Sequence, residues 1–364
     1  MKVNSKLSTY EIFALTNIAI VMIITDTTPS LLAQNTKNAF WFVPLISFLV
    51  VLPSFLILLY LLRKYNAEHL VELLEILFGK FLGKVFAFIV FMANFLWLAL
   101  DKRSYVGQIK LLYFEQSQLF SIFIILAIVC IFGAVRGIKV IGYTAKLFFP
   151  YFQISLIILI ILIIPSLIPE RIFPIFGSGL TEVIQEGVLK GSIFSKFTLL
   201  LMVLPAVKEP KYFYKGTLLG LMISVIQIIF FYFIYTTFFD YDSIATTPFP
   251  FHEVTQYIRL GDFFTNIETF FLIFWLLATF IRFILFLYLI SWLFGAIFQI
   301  NNFELLILPI GFLLMLVGLL PNNAIVTEVV YRNNLFNLLT PIIIIIPFIL
   351  LIRHFFKQRT GRLS

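Results

Sequence analysis

Ile23-Ile24-Thr25-Asp26-Thr27-Thr28-Pro29-Ser30 sets three hydroxyls, a carboxylate and a proline inside a hydrophobic stretch otherwise long enough to cross a bilayer. Backbone groups freed from a helix find no water in hydrocarbon. Such a break therefore survives only where protein or a hydrated cavity receives them, and in membrane proteins that place is commonly a solute or ion site. Thr28 before Pro29 is a helix start, with Thr28 as N-cap and Pro29 at the first helical position. A second half-helix beginning there is expected to aim its free amides, with their partial positive charge, at a carboxylate in a cavity. The plain alternative is a helix that simply ends at the membrane surface.

Composition supports a polytopic membrane protein. The apolar fraction is 61% and the charged fraction 12%, against roughly half and a quarter in soluble domains. About ten candidate spans follow from the need for ~20 apolar residues per crossing. They cover residues 12–34, 40–62, 81–105, 119–134, 144–165, 192–209, 213–239, 263–298, 303–320 and 335–353. The first run is expected to stay as an uncleaved span, because Leu31 is too large for a signal-peptide cleavage pattern. With the N-terminus inside, the inner segments, including Lys2, Arg63, Lys84, Arg136, Lys208, Arg353 and Arg362, hold about twice the basic residues of the outer ones. Lys37, Arg171, Arg259 and Arg332 fall outside on this count. Both termini are expected in the cytoplasm.

Cutting the chain between Pro165 and Gly191 leaves five spans on each side, so the halves enter the membrane with opposite topology. That is the arithmetic of an inverted repeat: residues 1–165, an outer connection over 166–191, and 192–364. Each half opens with an interrupted span, because Pro205 removes a donor in the sixth span about as far along as Thr25 lies in the first. A structural kink is the other reading of Pro205. In the eighth span Glu268 and Arg282 share a helical stripe with Trp275, and Thr279 lies close to it. They stand about four turns, ~21 Å, apart and so cannot pair with each other. Each needs a partner elsewhere or an interfacial position, since a charge inside the membrane costs at least ~2.5 kcal/mol. Asn94, Trp97, Asp101, Lys102 and Arg103 are the candidates in the third span, and Asp101 or Asp26 is suited to answer Arg282.

The net charge of +8 is spread over short loops with no aromatic-interleaved patch, which argues against nucleic acid and for anionic lipid headgroups as the counter-charge. The lone cysteine, Cys130, excludes an intrachain disulfide. His69, His252 and His354 are far apart in sequence, so no metal site or other cofactor is expected. No nucleophile, base and oxyanion group stand at usable spacing, and an enzyme is not expected.

A family resemblance runs through most of the chain. It is carried by Leu7-Ser8 with Glu11, Ala33-Gln34 before Asn38-Ala39-Phe40-Trp41, Leu77-Phe78-Gly79-Lys80 with Gly83-Lys84, and Gly137-Ile138-Lys139-Val140-Ile141-Gly142 running on to Pro150. Leu204-Pro205 with Lys208 follows, then Gly261-Asp262-Phe263-Phe264, Ile267-Glu268, Phe274-Trp275, Phe280-Ile281-Arg282 and Leu320-Pro321-Asn322. In order and spacing the chain resembles the B subunits of spore germination receptors (GerAB type), within the amino acid, polyamine and organocation transporter superfamily. The resemblance implies an all-α integral membrane protein with a LeuT-like 5+5 inverted repeat and broken helices 1 and 6. It implies a germinant receptor subunit of the spore inner membrane, working with an A subunit and a lipoprotein C subunit and binding a small molecule, typically an amino acid. The ligand-binding role is carried to Thr25, Asp26, Thr27, Thr28, Pro29, Leu204, Pro205 and Ala206, and also to Trp97, Glu268 and Thr279, beside a charge network of Asp101 and Arg282. An amino acid permease driven by protons or sodium is the alternative for the same architecture.

Overall fold

Apolar runs of this length have one way to satisfy their backbone in lipid, and the chain takes it: the computed structural model is helical, with no β-strand among the described residues. Those residues are 6–258, 267–321, 323 and 326–359. The Gly261-Asp262-Phe263-Phe264 motif, Asn322 and the start of the eighth expected span lie outside them.

The α-helices in chain order are α1 (Thr9–Val21), α2 (Thr28–Thr36), α3 (Val43–Tyr65), α4 (Leu70–Phe78), α5 (Lys80–Tyr113), α6 (Leu119–Ala134), α7 (Gly137–Ile163) and α8 (Leu180–Leu189). There follow α9 (Phe197–Leu200), α10 (Pro210–Phe238), α11 (Tyr241–Thr246), α12 (Pro250–Tyr257), α13 (Ile267–Phe298), α14 (Ile307–Leu319) and α15 (Asn333–Arg359). Among the described residues six helical segments are long and apolar enough to cross a membrane, and the segment Leu180–Leu189 with Gly191–Ala206, bent by 46°, is a seventh if it counts as one span. The stretches Thr9–Thr25, Leu119–Ala134 and Phe303–Leu319 are apolar but shorter. The expected spans overlap helical segments wherever they lie among the described residues, and six or seven of those segments are long and apolar enough to cross. This is an integral membrane protein.

Local chemistry sets the helix ends. Glu11 reaches back to accept the Ser8 N–H at 2.7 Å, closing the first turn of α1. Asn66 ends α3 in the left-handed region at φ 49°, which asparagine tolerates better than most residues. Gly216 and Gly220 on α10 let α1 approach closely: a Cβ on either would lie 2.7 Å from the Thr9 carbonyl or from Thr16 Cβ. That is the small-residue spacing by which membrane helices bring their backbones together.

One polar circuit crosses the same seam. Asn17 Nδ2 donates to Ser224 Oγ at 3.1 Å and to Gln227 Oε1 at 2.7 Å, and Gln153 Nε2 donates to Asn17 Oδ1 at 3.2 Å. Gln227 Nε2 donates in turn to Gln153 Oε1, closing a ring between α1, α7 and α10. Each amide both gives and accepts, which is how such groups survive away from water.

Candidate functional site

The first break is built from a 3-10 turn, Met22–Thr25, followed by Asp26 and Thr27 outside any helix and then by α2. Four of its carbonyls are received by protein. Tyr232 and Tyr235 on α10 donate to the carbonyls of Ile23, at 3.3 Å, and Ile24, at 2.8 Å. Gln108 on α5 donates to that of Thr25 at 2.9 Å. Thr25 Oγ1 turns back to the Met22 carbonyl at 2.8 Å.

The helix start differs by one residue from the sequence expectation: Thr27, not Thr28, is the N-cap, and Pro29 sits one place further in. Asp26 causes the shift, because its Oδ1 accepts the Thr28 N–H at 2.8 Å. The same contact corrects a second expectation. The N-terminus of α2 already holds a carboxylate, and it belongs to the chain itself.

Five ionised side chains from four elements meet beside the break. Arg332, at the end of a π-helical stretch Val326–Arg332, pairs with Asp26, and Arg282 on α13 pairs with Asp101 on α5. Arg332 Nη2 also lies 3.8 Å from Asp101 Oδ1, which joins the two pairs into one chain. Glu328, one turn before Arg332, accepts from its Nη1 at 2.9 Å. Thr27 Oγ1 accepts from that same Nη1 at 2.9 Å and donates to Glu328. All of these side chains are buried. Desolvating so many charges is tolerable only because each has a partner of opposite sign.

A small polar cavity opens onto this network. It is lined by Thr25, Asp26, Asp101, Gln108, Thr279 and Arg282, with Met22, Ser104 and Tyr105. The space open to the centre of a water molecule is about 10 Å³, enough for about one water. Aromatic rings cover it on one side: Tyr105 lies 4.8 Å from Trp275, which lies 4.4 Å from His252 on α12. A second cavity, lined mainly by apolar residues of α3, α5 and α15 with Asn94 and Thr198, has no ionised group in its wall and suits a polar solute less well.

Residues 6–327 match the family described as "Spore germination protein". The chain belongs to that family. It is also similar to "Spore germination protein KB" of Bacillus subtilis (strain 168), at 22% identity over 245 residues. The match takes in 66% of this chain and 65% of that relative, just under two thirds of its length.

Within this member of the family the candidate residues fall into three groups. Thr25, Asp26, Asp101, Thr279 and Arg282 line the cavity. Thr27, Thr28, Pro29 and Trp97 stand beside it, the first through Glu328 and Arg332, and Trp97 with its ring 5.9 Å from the Arg282 guanidinium. The remaining ones are elsewhere. Leu204, Pro205 and Ala206 belong to a 3-10 run, Leu201–Ala206, and do not line the cavity. The carbonyl of Ala206 accepts the Leu7 N–H at 2.7 Å, and Leu7 pairs with Val207 in an isolated parallel bridge. Glu268 is half-buried in the first turn of α13 with no ion pair among the described residues.

Three participants escaped the sequence reading. Arg332 was assigned to an outer segment, yet it is 1% exposed and central to the network. Glu328 has no role in the sequence reading, and neither has Lys196, whose ammonium lies 4.4 Å from the centre of the Trp97 ring. A signal existed for the first two: an acid and a base one helical turn apart, immediately before a long apolar run.

Proposed function

We propose that the chain is the solute-sensing subunit of a nutrient germinant receptor in the spore inner membrane. It binds a small molecule, an amino acid by class, and passes the event to an A subunit and a lipoprotein C subunit. Both termini then face the spore core, and the chain makes ten crossings arranged as a LeuT-like 5+5 inverted repeat, residues 1–165 and 192–364 joined by 166–191. Membership of the spore germination family and the likeness to the Bacillus subtilis relative support the receptor role.

The observation that carries the reading is the break at Asp26 and Thr27. A helix interrupted inside an apolar bundle, with its carbonyls capped by Tyr232, Tyr235 and Gln108 and an ionised wall beside it, is the construction expected of a solute pocket. Because the cavity takes about one water as it stands, a solute must bind a wider arrangement, and only its preference for that arrangement can shift the bundle. Thr25, Asp26, Thr27, Thr28 and Pro29 are assigned to the solute, with Trp97 and Thr279 as further wall.

Spores carrying the chain as their sole B-type subunit test this. Nutrient-triggered loss of refractility is expected in wild type, with a rise of at least tenfold in the nutrient needed when Thr27 is replaced by Ala. Unchanged responses in Thr27→Ala would overturn the reading. The alternative, a proton- or sodium-coupled amino acid permease, draws on Asp26 and Asp101 in the same wall as coupling carboxylates. Gradient-driven amino acid flux into proteoliposomes would select it.

A further inference from the structure

Charge in the middle of the bundle does not balance. Beside the buried carboxylates Asp26, Asp101 and Glu328 stand the buried cations Lys102, Arg103, Lys196, Arg282 and Arg332. The three carboxylates are engaged by Arg282 and Arg332. Lys196, 2% exposed, has no carboxylate within 4 Å among the described residues. Its ammonium instead lies 4.4 Å from the centre of the Trp97 ring, the indole that also carries Arg282 at 5.9 Å. Two cations thus lie near one indole ring, and only Arg282 has a carboxylate in contact.

Hydrogen-bond capacity is lopsided in the same direction. Arg282 Nε, Arg332 Nε and Arg103 Nη1 are buried donors without acceptors, set against Glu328 Oε1 without a donor. Guanidinium groups keep their protons, so these donors cannot be silenced by titration. Buried donors left empty are costly and await an acceptor. The obvious receptor for an anion, the N-terminus of α2, is occupied by Asp26.

We propose that the carboxylate of the solute docks between Lys196 and Arg282 against Trp97, so that the site selects carboxylate-bearing solutes over amines of the same size. This rests on the solute-pocket reading above and adds which group of the ligand is recognised and by which residues. A carboxylate there would meet the Lys196 ammonium and the free Nε of Arg282 together. Lys196, and not the helix terminus, is then the residue that recognises it.

Purified full-length protein in nanodiscs, at pH 7 and constant ionic strength, provides the test with propionate, L-alanine and n-propylamine as probes. Propionate and L-alanine are expected to raise the midpoint of thermal unfolding by about 2–4 °C at saturation, and n-propylamine is expected to have no effect. Lys196→Met should weaken the propionate response at least tenfold, whereas Lys196→Arg should keep it. An undiminished response in Lys196→Met overturns the proposal, as does stabilisation by n-propylamine equal to that by propionate. Should Lys196→Met not fold, the ranking of propionate over n-propylamine on wild type decides. Stabilisation by the amine alone leaves the solute pocket standing and removes its anion preference. No shift from any probe overturns the docking proposal, while the spore assay still decides the receptor role.

Discussion

The two helix breaks solve the same problem in different ways. At Asp26 and Thr27 the freed backbone is received by side chains from α10 and α5, and the surroundings are ionised. At Leu201–Val207 the main chain is received by main chain, through Leu7, and the buried neighbours are apolar. The first construction leaves polar groups pointing into a cavity. The second seals one segment against another. A break is therefore not by itself a binding site, and what separates the two is the chemistry recruited to satisfy the backbone.

Removing charge at the first break should give the largest effect in the molecule. Arg332→Met strands Asp26 and Glu328 and is expected to cost about 3–5 kcal/mol, read as a fall in the unfolding midpoint in detergent. A loss below 1 kcal/mol would mean the ion chain is not formed. Gln108→Leu isolates the change to one backbone acceptor, leaving the Thr25 carbonyl unpaired at a cost of about 1–3 kcal/mol, and it should also raise the nutrient concentration needed for germination. The matching cut at the second break is Lys208→Pro, which deletes the N–H that reaches the Leu7 carbonyl at 3.3 Å. Val207 is already extended, as a residue before proline prefers, so the loss should stay near ~1 kcal/mol with the germination threshold unmoved. If the two substitutions shift that threshold equally, the contrast between the breaks fails.

The smallest expected effect lies outside the spans. His69 caps α4, its Nδ1 accepting the Glu72 N–H at 3.2 Å, which requires an unprotonated ring nitrogen. Burial pulls its pKa down to about 4, against a weaker opposing influence of Glu68. Between there and the unfolded value of about 6.5 the unfolded chain binds more protons, so stability rises with pH through that window. The contribution is complete above pH 6.5 and is lost as pH falls toward 4. His69→Asn keeps a capping group and removes the titrating ring, so it should flatten that part of the stability-against-pH curve.

Much of the bundle was legible because a membrane helix announces itself by length and apolarity, and the fourth expected span coincides with α6 residue for residue. The first break was legible for a related reason: Thr-Asp-Thr-Thr-Pro cannot continue a helix cheaply in lipid. That Arg282 needed an acid, with Asp101 or Asp26 to supply it, followed from desolvation, but which of the two it takes did not. The finer features depended on tertiary partners. Asp26 was read as facing a solute, but nothing in the linear chain says that Arg332, some three hundred residues on, would claim it. Arg332 read as a loop charge because arginine near a span end usually is one. Pro205 looked equivalent to the first break by position, and only its neighbours, Leu7 above all, make it different.

The amide ring of Asn17, Gln153 and Gln227 gives the break at Asp26 a mechanical sense. It ties the half-helix before the break to α7 and α10, so any turn at Met22 to Thr27 must strain three helices and not one.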